Sequence, residues 1–401
     1  MKEKKPRGDE TLLAHLGRDP GRYHGVVNMP VFHASTVLYD SLEDFESRVR
    51  INEPGAVLYG RMGTPDTFAL EAAVAELEGG ADSVAVPSGL AAISCALLAL
   101  VEAGEHILVS DSVYKPARTF CDKTLARLGV ETSYFDPTIA DDGIAALVRT
   151  NTRLIYAESP GSLTFEMQDL PALGAVARTR DIPLLADTTW ATPLHFKPFA
   201  HGVDISIQAG TKYLVGHSDA MLGMITSNER YAPQIRRGVR QLGVSAGTEE
   251  IFLGQRGLRT LAVRLARHQE TGLALARWLE ARPEVAQVLH PALPSHPGHA
   301  IWRRDFTGAC GLFSIVLRHP YPKAALSAMI EGLELFGLGA SWGGYESLLI
   351  PADPTEIRTA TAWQAPGPLL RIHAGLEAVD DLIADLAAGF ERLEQVAQAA
   401  E

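Results

Sequence analysis

The sequence predicts an α/β protein, with a mainly parallel sheet covered by helices in a large domain and a smaller C-terminal α/β domain behind it. Three observations lead there. From about residue 67 to residue 227, short apolar runs of strand length alternate with segments of helical spacing, the rhythm of strand–helix–strand units. Polar residues suited to holding a ligand fall where those runs end, the usual place for ligands in open parallel sheets. Beyond Ser227 the rhythm changes to longer helices and then to a second set of apolar runs.

Taken in order, residues 1–62 have little periodicity and recurrent Pro, Gly and Asn, which reads as an irregular N-terminal arm with a short helix near Ser41–Arg50. Its start, with Lys2, Lys4 and Lys5, is charged and followed by only a very short apolar run, so no signal peptide is read there. Thr67–Glu78 sets Leu70, Val74 and Leu77 on one helical face, and Gly79 and Gly80 stop it. A strand over Ser83–Val86 turns through Pro87, Ser88 and Gly89 into a long apolar helix ending at Leu100. Further strands are expected at His106–Val109, Thr132–Phe135, Leu154–Ala157, Pro183–Ala186 and Ile205–Ile207, with helices near Pro116–Leu128, Ile144–Val148 and Leu170–Arg178. Then come a long helix over Thr248–Glu280, a Pro- and His-rich link over Leu289–His299 and a strand at Gly311–Leu317. A helix at Lys323–Ile330, a strand at Leu369–His373 and an amphipathic helix from Val379 complete the chain. The division that follows is an arm over 1–62, a large domain over 63–258 and a C-terminal domain over 259–401.

Composition narrows the function. With 401 residues, 46% of them hydrophobic, the chain can bury substantial cores. Its 36 Lys and Arg against 48 Asp and Glu give a formal charge of −12, which argues against nucleic acid or an anionic membrane and leaves a small molecule as the expected ligand. Cys95, Cys121 and Cys310 are odd in number and far apart, which fits a reducing compartment, no disulfide framework and no metal spacing. The most apolar stretch, Leu90–Val101, falls short of the roughly 20 residues that span a bilayer. A cytoplasmic protein is expected.

The chemistry is expected around Lys212, in the stretch ISIQAGTKYLVGHSD over Ile205–Asp219. It follows a buried-strand pattern, with Gly210 and Thr211 immediately before it, and an amine there is paired, desolvated or covalently engaged, unless it is simply a surface lysine at a strand end. A Schiff base with pyridoxal phosphate gives it a covalent role. Of eight lysines, only Lys212 combines a strand-to-loop position with an aspartate, Asp187, closing an upstream apolar run. That carboxylate needs a cationic partner, which a protonated pyridine nitrogen would supply. Ser88 and Gly89 open a helix whose free N–H groups suit a phosphate. Tyr59 and Arg61, two apart in an extended segment, can reach one anion or can be a solvated loop pair. Tyr114 can offer a ring face or only pack, and Ser159 also falls at a strand end. Competing motifs are weaker. GVSAG at Gly243–Gly247 has the hydrolase spacing, but Arg236, Arg237 and Arg240 precede it where a buried strand is required. His290, His296 and His299 lie in a Pro-rich loop without a carboxylate cluster. No G-x-G-x-x-G follows a strand, and no Walker pattern occurs.

Read together, these residues resemble the Cys/Met-metabolism family of pyridoxal-phosphate enzymes, on the type I fold shared with aspartate aminotransferase. The resemblance runs through nearly the whole chain: YGRMGT at Tyr59–Thr64, ELEGGA at Glu76–Ala81, ESPGSLTFE at Glu158–Glu166, DTTWA at Asp187–Ala191 and the Lys212 stretch. It continues in RGLRTL at Arg256–Leu261, HPALP at His290–Pro294, RDFTGACGLFS at Arg304–Ser314, SWGGYESL at Ser341–Leu348 and RIHAGLE at Arg371–Glu377. It implies that Lys212 carries the cofactor, Asp187 pairs with its ring nitrogen, Tyr114 stacks on the ring, and the Gly89 and Leu90 amides with the Thr211 hydroxyl hold its phosphate. Tyr59 and Arg61 would reach the phosphate of a neighbouring subunit, making the arm an inter-subunit element of an obligate dimer, paired into a tetramer. Tyr59, Ser341, Trp342 and Arg371 would bind substrate, Arg371 with Ser341 holding the α-carboxylate. The sequence departs from the family at Ala209, where many relatives carry serine, at Leu58, which stands for an aromatic residue, and at Ala340 and Arg240, which stand for tyrosines near the active-site entrance.

The activity implied is α,β-elimination of L-cystathionine to homocysteine, pyruvate and ammonia, a step of transsulfuration and methionine biosynthesis. Cysteine desulfhydrase or general cysteine-S-conjugate β-lyase activity is the alternative, with γ-elimination or γ-replacement behind it. From another class, the alternative is a regulatory protein that keeps pyridoxal phosphate.

Overall fold

The computed structural model describes residues 7–51 and 55–399, so Lys2, Lys4 and Lys5 lie outside the described residues. Seven strands form the first sheet: β1 (Asp82–Val86), β2 (His106–Ser110), β3 (Glu131–Phe135), β4 (Thr152–Glu158), β5 (Leu184–Asp187), β6 (Ile205–Gln208) and β7 (Gly223–Ser227). Their order is β1-β7-β6-β5-β4-β2-β3, parallel from β6 to β3, with β7 antiparallel to both neighbours. The mainly parallel sheet expected from the sequence is present.

Alternation along each strand feeds two cores, because successive side chains leave a sheet on opposite faces. Val84, Val86, Ile107, Val109, Leu154 and Tyr156 pack on one face beneath the helices Gly89–Leu100 and Ala232–Leu242. Ala85, Leu108, Ile155, Ala157 and Ala186 pack on the other beneath Pro65–Glu78, Leu170–Thr179 and the first half of Thr248–Glu280. Both faces being covered explains why these strands read as continuous apolar runs.

The second sheet, β8 (Val285–Leu289), β9 (Leu312–Leu317), β10 (Leu348–Ala352) and β11 (Leu369–His373), is antiparallel in the order β10-β11-β9-β8. Phe313, Ile315, Leu370 and Ile372 close its own core with Phe390 of the C-terminal helix Val379–Gln398. Leu312, Val316 and Leu369 turn the other way, into the core of the large sheet. The 33-residue helix Thr248–Glu280 places Leu258, Leu261 and Leu265 in that same large core and Leu275 and Leu279 in the small one. The division expected at 258/259 therefore falls inside one continuous helix.

Elsewhere the structure adds what the sequence pattern hid. The arm contains a helix, Asp9–His15, whose one buried side chain, Leu13, is too little for a periodic signal. Strand β7 starts on Gly223 and is buried on both faces, so it carries no alternation. Strand β10 contains Pro351, which reads as a breaker but is tolerated because β10 lies at a sheet edge. The expected link Leu289–His299 is bracketed by β8 and a helix over His299–Asp305. The helix expected over Pro116–Leu128 starts at Lys115 and widens to a π turn over Phe120–Leu125. No described helix is long and apolar enough to cross a membrane.

Candidate active site

A cavity of about 420 Å³ opens where β4, β5 and β6 end and the small sheet comes down on them. Ser88, Gly89, Leu90, Tyr114, Asp187, Thr211, Lys212, Ser341, Trp342 and Arg371 all line it. The first seven come from the large domain and the last three from the small one, so neither sheet encloses the site alone.

Lys212 lies in the turn after β6, its N–H bonded to the Ala209 carbonyl at 2.9 Å. Its Nζ donates to Ser341 Oγ at 2.6 Å and sits 5.3 Å from the Trp342 ring centroid. Burial, and then the nearby Arg371 charge, push the amine down from 10.5 to about 8, so a sizeable neutral fraction exists at physiological pH. Arg371, on β11, donates to the Ser341 carbonyl at 2.9 Å. Burial holds its guanidinium down at about 10, against the opposing Tyr114 phenol.

Asp187 ends β5 directly beside Glu158, which ends β4 in register with it. Both carboxyls are pushed up, first by burial; the neighbouring Asp187 charge adds to this for Glu158, while bonds from Thr189 partly offset it for Asp187. Two buried carboxyls side by side do not ionise independently, and the upward push is stronger at Glu158. Glu158 accepts from the Tyr114 N–H at 2.7 Å, which fixes the loop that presents the Tyr114 ring. Asp187 Oδ1 takes bonds from the Thr189 N–H at 3.0 Å and hydroxyl at 2.6 Å. Oδ2 takes no hydrogen bond among the described residues and is left for a cationic partner. Glu158 and Thr189 were not singled out from the sequence, although ESPGSLTFE and DTTWA contain them; the available signal was a second carboxylate closing the adjacent strand.

These residues fit pyridoxal phosphate. The helix Gly89–Leu100 starts at the cavity, capped by Ser88, whose Oγ accepts from the Ala91 N–H at 3.0 Å. The N–H groups of Gly89 and Leu90 precede the first intrahelical bond, and both residues line the cavity. A Cβ on Gly89 would stand 2.6 Å from the Ala209 Cβ, so the backbone approach needs glycine there. The Thr211 hydroxyl accepts from the Leu222 N–H at 2.8 Å and reaches the Leu222 carbonyl at 3.1 Å; a phosphate would have to draw its hydrogen from that carbonyl. Strained backbone gathers at the same place: Ser341 at φ 92°, Leu163 at φ 68° and Phe165 at φ 58° all line the cavity.

The remaining candidates lie elsewhere. Tyr59 and Arg61 do not line this cavity; Tyr59 is 45% exposed and accepts from Ser35 Oγ at 3.4 Å, and Arg61 donates to the Arg240 carbonyl at 2.9 Å. Ser159 is turned into the core, where Oγ accepts from the Gln168 N–H at 3.1 Å. His290 packs between Trp190 and Phe313, and His296 accepts from the Gly298 N–H. GVSAG joins two helices rather than following a strand.

Known proteins resemble this chain over nearly its whole length. A family model described as Cys/Met metabolism PLP-dependent enzyme matches residues 10–391. The chain is 48% identical over 386 residues to a protein of Rhizobium johnstonii named putative cystathionine beta-lyase, with 96% of each chain covered. It is 45% identical over 389 residues to the cystathionine beta-lyase of Salmonella typhimurium, covering 96% of this chain and 98% of that one. Among solved structures, metB from Corynebacterium glutamicum matches with a TM-score of 0.87 at 29% identity, over 96% of this chain and 98% of that one. The chain belongs to the Cys/Met-metabolism family of pyridoxal-phosphate-dependent enzymes.

Proposed function

We propose that the protein is a carbon–sulfur lyase that cleaves L-cystathionine by α,β-elimination to homocysteine, pyruvate and ammonia. The observation that carries this reading is the buried amine of Lys212, 2.6 Å from Ser341 Oγ, in one cavity with Asp187, Arg371 and the Gly89 helix terminus. The curated names of relatives at 45–48% identity support the choice of substrate.

In this reading Lys212 would hold the cofactor through its aldehyde and Asp187 would pair with its ring nitrogen. The Gly89 and Leu90 amides hold the phosphate with the Ser88 and Thr211 hydroxyls, and Tyr114 covers the ring. Bound there, the cofactor supplies an electron sink for the charge released at the substrate Cα. Arg371 takes the substrate α-carboxylate, for which its planar fork is suited, and Ser341 and Trp342 close over it. Lys212 Nζ would serve as the base at the substrate Cα, taking its proton and delivering it to the departing sulfur. Asp187 would hold a proton at the cofactor's ring nitrogen.

The same reading makes residues 1–62 an arm that serves a neighbouring subunit, ahead of a cofactor domain over 63–258 and a C-terminal domain over 259–401. Tyr59 and Arg61 of the partner subunit would complete the phosphate site. Their absence from their own cavity supports this, as do Val26, Val27, Leu38 and Leu42, each more than half exposed on the arm. A cytoplasmic homotetramer built from such dimers is the proposed assembly; the three buried, unpaired cysteines suit a reducing compartment.

The deciding assay supplies cystathionine, cysteine, cystine and O-acetylhomoserine separately to purified protein and identifies the keto acid. Pyruvate from cystathionine is expected. 2-Oxobutyrate would make the enzyme a γ-lyase, and bound cofactor with no keto acid from any substrate would favour a regulatory protein.

A further inference from the structure

Strand β11 sends Leu370 and Ile372 into the small core, so Arg371 and His373, two apart, face the cavity side together. Both reach the same turn. Arg371 bonds the Ser341 carbonyl, and His373 Nε2 accepts from the Gly343 N–H at 3.0 Å. The other ring nitrogen, Nδ1, lies 3.1 Å from the Glu346 carbonyl oxygen. A carbonyl can only accept, so Nδ1 carries the proton and Nε2 is an acceptor; two backbone groups dictate one neutral tautomer.

The turn needs such fastening. Ser341 sits at φ 92°, a region that disfavours any side chain, and Gly343 at φ 86° presses against Lys212. A Cβ on Gly343 would stand 2.9 Å from the Lys212 carbonyl carbon and 3.0 Å from its Cα. Ser341 Oγ is in turn the atom that holds Lys212 Nζ. We propose that His373 is a positioning residue for Lys212: through the Gly343 N–H it fixes the strained turn, and through Ser341 Oγ that turn fixes the height of the lysine amine.

The surroundings hold the imidazole neutral. It is buried, with the His268 ring 5.2 Å away from the long helix, Tyr213 at 6.0 Å and the cations Lys212 and Arg371 nearby, and no carboxylate hydrogen-bonds to it among the described residues. Burial, then His268, push it well below 6.5, so the acceptor at Nε2 persists through the physiological range. A proton on Nε2 would turn an acceptor into a donor facing the Gly343 donor.

The inference rests on the reading of Lys212 as cofactor carrier and base, and three measurements on the holoenzyme separate the two. His373→Leu is expected to keep cofactor while lowering kcat about tenfold to a hundredfold, with KM changed by less than about threefold, as for a small misplacement of a reacting group. It should also move the pH midpoint of the bound cofactor's visible absorbance. His373→Gln retains an acceptor and a donor and is expected to bring kcat and midpoint back to within about threefold of wild type. A leucine variant with unchanged kcat and midpoint, or glutamine and leucine variants equally impaired, would overturn the proposal. Neutron diffraction of the wild-type holoenzyme reads the proton directly: Nδ1–H with bare Nε2 is expected, and a proton on Nε2 overturns the proposal even if the leucine variant does not fold. Wild-type protein that binds no cofactor would defeat the reading of Lys212, while the proton positions would still report on the clamp.

Discussion

Lys212 concentrates the residue-scale consequences, because its environment changes its charge. The amine must be neutral to accept a proton, and burial has brought its value to about 8. Its folded value is depressed from 10.5, so the ammonium dominates below about pH 8 and the base above it. The pH–rate profile of kcat is expected to rise through a midpoint near 8 and flatten beyond it. Lys212→Ala should abolish both turnover and the visible absorbance of lysine-bound cofactor; ordinary turnover in that variant would remove Lys212 from the mechanism. Asp187→Asn should still bind cofactor, since the phosphate cradle is elsewhere, but stall at removal of the Cα proton, seen as loss of solvent deuterium exchange at Cα. Lys212 and Asp187 were legible because a charged group closing an apolar run is conspicuous. Glu158 was less so: its proximity to Asp187 comes from the pairing of β4 with β5, and a sequence lists strands without their neighbours.

Turns and strand ends, at the scale of elements, carry the site. Gly343 presses its backbone on Lys212 at a positive φ, so Gly343→Ala combines left-handed strain with a clash against main-chain atoms. A loss of about 1–3 kcal/mol is expected, read by chemical denaturation, with cofactor retention falling alongside. The long helix Thr248–Glu280 and strand β11 were legible to the residue, the one as an unbroken run rich in Leu, Ala and Arg, the other as a short apolar run. Strands β7, β8 and β10 were not, and the causes are local: a leading glycine with burial on both faces, a neighbourhood rich in Pro and His, and a proline tolerated only by an edge strand.

The whole molecule depends on ties between its two sheets. The buried Asp111 carboxylate, in the loop after β2, accepts from Arg118 at 2.8 Å and from the N–H groups of Thr359, Ala360 and Thr361 in the small domain. Burial alone would raise this carboxyl, but Arg118 and those N–H groups override it and hold it below 3.8. Its contribution is therefore present above pH 3.8 and lost as pH falls through the lower folded value. Asp111→Ala leaves the buried Arg118, among the described residues, only its 3.8 Å carboxylate contact to Asp122, strips the acceptor from three N–H groups of the small domain, and is expected to destabilise by about 3–5 kcal/mol, read by denaturation at neutral pH. The proposed shared sites predict a complementation. Refolding a mixture of inactive Arg61→Ala and Lys212→Ala chains should restore activity, because in a mixed dimer one site receives a wild-type arginine and a wild-type lysine. Restoration confined to the unmixed background level would place Arg61 outside the partner's site.

The helix Thr248–Glu280 also sets a chronology. Strands β1 to β7 are complete by Ser227, and the helix that seals one face of their sheet is finished at Glu280, while Ser341 and Arg371 are still unmade. A nascent chain can thus assemble its first sheet and the core beneath Gly89–Leu100 early, with Lys212 at that stage an open amine. Only when residues 341–373 arrive does the turn descend on it and strip its water. The reactive lysine is finished late in synthesis, although its codon is read near the middle.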